Sequence, residues 1–222
     1  MSRASFDVGG GAAFELDVPA GAAPIDSAAL PAFTLGPVAG AHVVARAGSR
    51  GAFGALYVAC AAAPSRGFAP GVEELALARA AQIARGLPGI LRLDAGRTAR
   101  AGTTFRQRLD GDAALDSGPA RVAGVSVLGF THGGDEAFVC TAVCLERDAR
   151  QGGRGHRSDA CGSSIAGAAT TGALSPPPAP DALARSVFAA AEHPALAAAA
   201  LGVIAIVGAA LLVTRRPTRP LR

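Results

Sequence analysis

Residues 195–213 form a run of nineteen amino acids with no polar side chain. As a helix rising about 1.5 Å per residue the run would be about 28 Å long, close to the roughly 30 Å of a bilayer's hydrocarbon core. Leu196, Leu201, Val203, Ile204, Ile206, Val207, Leu211, Leu212 and Val213 would supply its insertion energy. The run therefore predicts a single transmembrane helix over 194–214. Four arginines follow it, Arg215, Arg216, Arg219 and Arg222. The positive-inside rule sends that tail to the cytoplasm. The first eighteen residues have no apolar leader-like core, which favours the opposite arrangement, a cytoplasmic main domain. The expectation adopted is a single-pass protein of a bacterial cell membrane with its domain on the cytoplasmic side.

Charge divides at the same place. The chain has a formal net charge of +4 and a pI near 9.4, and all 21 basic residues are arginine. Residues 1–194 balance 17 arginines against 17 acids, so the whole excess belongs to the tail. The basic pI thus gives no argument for nucleic acid. With no lysine, Walker A, Schiff-base and pyridoxal-type sites are excluded. Ala and Gly number 54 and 29, while Lys and Asn are absent. That bias fits a GC-rich bacterial genome and weakens every motif made of small residues or arginine.

Ahead of the apolar run, Pro176, Pro177, Pro178 and Pro180 make a semi-rigid spacer. The predicted organisation is a domain over 1–174, a Pro-rich linker and short helix over 175–193, the membrane helix over 194–214 and a basic tail over 215–222. Within the domain, Phe14, Leu16 and Val18 alternate with Glu15 and Asp17, as in a half-buried strand. Strands are expected at 42–47, 55–61, 90–93, 103–109, 122–131 and 136–146, the last two joined as a hairpin by Gly133-Gly134. A helix is expected over 71–85, with Val72, Leu75, Ala76 and Ile83 inward, ended by Gly86 and Pro88. A second helix is expected over 163–171. The expected class is α+β, a mainly antiparallel sheet with one or two packed helices, plus the transmembrane helix.

The segment Phe14-Glu15-Leu16-Asp17-Val18-Pro19-Ala20-Gly21 resembles the opening strand of the PsbP-like α-β-α sandwich family, with Ala22 where that family carries Trp. The order of elements over 5–172 is similar too: a hairpin, a helix beginning Val72-Glu73-Glu74-Leu75-Ala76, returning strands, and a last helix at 161–171. The resemblance implies a binding or assembly factor rather than an enzyme. It transfers no catalytic or binding residue.

Chemistry-bearing clusters are few. Cys140, Cys144, His156 and Cys161 have a spacing that invites zinc. Within one strand, however, Cys140 and Cys144 would stand about 13 Å apart, too far for one metal or one disulfide. A Cys144–Cys161 disulfide and plain buried thiols are the other readings, the latter also open to Cys60. His132, Asp135 and Glu136 place an imidazole beside carboxylates, the material of a hydrolase, and also suit an exposed turn. Arg79, Arg85, Arg92, Arg97, Arg100, Arg106 and Arg108 stand against one acid in the same stretch, Asp94. They are the expected binding surface. The sequence calls for no catalytic residue, metal or cofactor. Its expected partners are the bilayer, through 195–213, and a protein. The expected function is a membrane-anchored, non-enzymatic binding or assembly domain; the rival is a membrane-tethered hydrolase or metal enzyme using His132 and Asp135 or the Cys/His loop.

Overall fold

A computed structural model describes residues 1–26, 30, 40–65, 72–147 and 159–179. Its strands are β1 (Ser2–Gly9), β2 (Ala12–Val18), β3 (Ala23–Ile25), β4 (His42–Gly51), β5 (Gly54–Pro64), β6 (Ile90–Ala101), β7 (Thr104–Leu115), β8 (Gly118–Thr131), β9 (Glu136–Arg147), β10 (Ala169–Gly172) and β11 (Leu174–Ser175). Two α-helices interrupt them, α1 (Val72–Ala84) and α2 (Ala160–Ala166).

The main sheet runs β3-β4-β5-β9-β8-β7-β6, with β11 added against β8. Its pairings are antiparallel throughout. A smaller sheet, β1-β2-β10, is separate. The central strands β5, β8 and β9 are buried along most of their length. Side-chain alternation explains how both of their faces are covered. Leu56, Val58, Val125, Val127, Phe138 and Ala142 point to one side, where they meet Phe14 and Leu16 of the small sheet and Ile165 of α2. Ala55, Tyr57, Val122, Val143 and Leu145 point to the other, where they meet Ala81 and Ala84 of α1. The order across the molecule is therefore α1, then the main sheet, then the small sheet with α2.

This corrects the α+β expectation. Described residues form mostly antiparallel sheet, and the helices are short additions to it. No helix among them is long and apolar enough to cross a membrane. The longest, α1, has 13 residues, where a span needs about 20. The apolar run 195–213, like the rest of 180–222, lies outside the described residues.

Three local expectations also change. Strands β6 and β7 extend to Ala101 and Leu115, well past 93 and 109. Residues 169–172 pair with β2 as a strand, so the helix expected at 163–171 starts earlier and ends at Ala166. Thr170 and Thr171, β-branched, favour extended backbone. In α1 Ala76 and Ile83 are partly buried against the core, as expected, but Leu75 is 70% exposed, and the buried stripe is Leu77, Ala80, Ala81 and Ala84. Spacings of three and four put those four residues on one face. The alanines let the helix lie close to the sheet. β1, with Val8 fully buried, was not foreseen.

Candidate functional site

α2 is fixed to the sheet from several directions. Cys161 is disulfide-bonded to Cys144 of β9, with Cα atoms 5.3 Å apart. The Ser164 hydroxyl donates to the Asp17 carbonyl. Asp159 accepts from the Gly162 amide at 3.2 Å, and Glu146 from the Ala160 amide at 3.0 Å. These two carboxylates satisfy amides at the start of the helix that have no partner within it. Burial, opposed in part by the amide contacts, raises the Glu146 carboxyl above its usual range; the charge of Asp159 adds to the rise.

So held, α2 covers β8 and β9 but leaves the outer strands β7 and β6 open on that side. A groove of about 340 Å³ remains between them. Its floor is Ala123 and Val125 of β8, its wall Ile165 and Ala166 of α2, and its rim Arg97, Arg106 and Arg108. Register explains the convergence: Arg106 pairs with Val127 and Arg108 with Val125, so these side chains share a face with the residues they oppose. Arg106 Nη2 donates to the Ala168 carbonyl at 2.9 Å. Arg108 Nε contacts Asp110 at 2.8 Å, and both side chains are largely exposed. That contact raises the Arg108 pKa. Arg97 has no carboxylate partner among the described residues.

The other four arginines of the expected surface lie elsewhere. Arg79 and Arg85 belong to and follow α1, on the opposite face of the sheet; Arg79 bonds Gln82 and Arg85 the Leu93 carbonyl. Arg92 pairs with Asp94 at 2.6 Å. Arg100 lies over the Phe105 ring, 5.9 Å from its centroid. One stretch of sequence thus supplies two faces.

All four cysteines are paired. Besides Cys144–Cys161, Cys60 of β5 bonds Cys140 of β9; the two oppose each other in the ladder with Cα atoms 4.1 Å apart. This pair depends on a strand pairing between residues 80 apart, which no local pattern marks. With their sulfurs bonded, Cys140, Cys144 and Cys161 have no thiolate to offer a metal. His156 lies outside the described residues. Among the described residues no group of three His, Cys, Asp or Glu is placed to hold a metal ion. His132 and Asp135 are exposed at a 3-10 turn, His132–Gly134, between β8 and β9, and the Gly133 amide there bonds the Ser175 hydroxyl at 3.1 Å.

No family model matches the chain, and no curated protein does. Among solved structures it is similar to LpqN of Mycobacterium tuberculosis, described as involved in cell envelope biogenesis. The two are 15% identical, the TM-score is 0.40, and the match covers 77% of this chain and 91% of that one.

Proposed function

We infer that this is a disulfide-braced binding domain that docks an acidic, extended segment of a partner protein in the groove beside α2. The observation that carries the reading is the convergence of Arg97, Arg106 and Arg108 on an apolar floor of small residues. Guanidinium groups suit carboxylates, which they bind through paired, charge-assisted hydrogen bonds. The floor accepts small aliphatic side chains between the acids. The PsbP-like resemblance points the same way, since its implied role is also binding or assembly. Two disulfides support maturation in an oxidising compartment, the side opposite to the cytoplasmic one expected from the N-terminus.

The test is binding of a fluorescent peptide of alternating Glu and Leu, followed by anisotropy. Affinity should fall steeply with salt. Arg97→Glu should weaken it by about tenfold or more, since a hydrogen bond to a charged group contributes about 1.5–3 kcal/mol. Arg79→Glu, on the far face, should leave it unchanged. Arg108 is already engaged by Asp110, so Arg108→Gln should cost less than Arg97→Gln. Equal affinity for the Arg97→Glu protein would overturn the reading, as would binding to anionic vesicles with none to the peptide.

A further inference from the structure

One end of the main sheet gathers several connections around a second cavity. The β4–β5 and β7–β8 turns, the α1–β6 connection and the end of β9 enclose about 430 Å³. Backbone hydrogen bonds link these pieces, from the Arg147 amide to the Phe53 carbonyl at 3.0 Å and from the Ala114 amide to the Gly89 carbonyl at 2.7 Å. Gly54 makes the close approach possible. Its φ is +133°, and a β-carbon there would run into the Leu145 carbonyl oxygen.

We propose that this cavity binds a small organic anion, a carboxylate head on a short apolar body. The head would be met by Arg50 and Arg147, both of which line the cavity. Neither guanidinium is paired with a carboxylate among the described residues. Tyr57, only 4% exposed, also lines the cavity. Ser117 adds a further donor, while Ala55, Pro88 and Leu115 supply apolar wall. Asp116 also lines the cavity, which leaves two positive charges against one negative. That balance matches a monoanion. The volume falls within the roughly 300–1,000 Å³ of small-molecule sites. This cavity shares no lining residue with the groove beside α2, so its occupancy does not depend on the function proposed there.

Sodium hexanoate and inorganic phosphate, titrated separately into the full chain and followed by amide chemical shifts, test the proposal. Saturable hexanoate binding is expected, with shifts at residues 50, 57, 115–117 and 147. Arg147→Gln should weaken it about tenfold or more. Arg50→Gln, an independent variant should that one misfold, should weaken it likewise. Arg97→Glu should leave hexanoate binding unchanged, separating this site from the groove. Absence of saturable binding would overturn the proposal, as would binding indifferent to both Arg147→Gln and Arg50→Gln. Tighter binding of inorganic phosphate than of hexanoate would overturn the assignment of an apolar monoanion.

Discussion

Replacing Cys60 and Cys140 together by alanine is expected to lower the stability of the domain by about 4 kcal/mol. The two residues are fully buried and oppose each other on central strands of the main sheet. Their bond closes a loop between residues 80 apart in sequence. In the chain-entropy account a longer loop removes more freedom from the unfolded state, so this bridge should contribute more than Cys144–Cys161, which spans 17 residues. Removing that second pair should cost about 3 kcal/mol. For a domain of this size each kcal/mol shifts the midpoint by roughly 2–4 °C. Thermal unfolding without reductant should therefore show a fall of about 10 °C for the first double variant and a smaller one for the second. An unchanged midpoint for Cys60→Ala with Cys140→Ala would show that the bridge does not brace the fold.

Phe138→Ala should cost a comparable amount, about 3–5 kcal/mol. Phe138 is fully buried on β9 in the cluster that joins the main sheet to the small sheet and α2. Its ring lies over Gly129 of the neighbouring strand, where a β-carbon would come within 2.6 Å of the ring. Glycine makes room for the aromatic side chain, and truncation would leave a cavity between two layers that cannot readily close. Leu75→Ala is the contrast. That leucine is 70% exposed, so its loss should change stability by no more than about 0.5 kcal/mol. Urea midpoints of the two variants decide it. Equal midpoints would mean that the layered core is wrongly assigned.

Local rules were legible where they acted through neighbours in sequence. Alternation around Phe14, Leu16 and Val18 marked β2, and Gly86 and Pro88 marked the end of α1 to within two residues. The antiparallel β8–β9 pair follows the glycine signal at 133–134. Failures came from composition and from long-range pairing. In so alanine-rich a helix, size points to Leu75 as an inward residue, yet Ala80, Ala81 and Ala84 form much of the inner face, with Leu77. Seven arginines close in sequence predict one surface. Strand alternation and the turn after α1 send them to both sides of the sheet, and only Arg97, Arg106 and Arg108 share a groove. Arg50, Tyr57 and Arg147 could not be grouped beforehand, since only the β4–β5–β9 pairing brings them to one cavity. The same pairing joins Cys60 to Cys140.

The central claim, that the groove beside α2 is a docking site for an acidic segment, is tested most directly by locating the bound peptide. Amide shifts of isotope-labelled protein, followed as the Glu-Leu peptide is added, should move at Arg97, Arg106 and Arg108, at 123–125 of the floor and at Ile165 and Ala166 of the wall. Shifts confined to α1 or to the far end of the main sheet, with the groove silent, would contradict it.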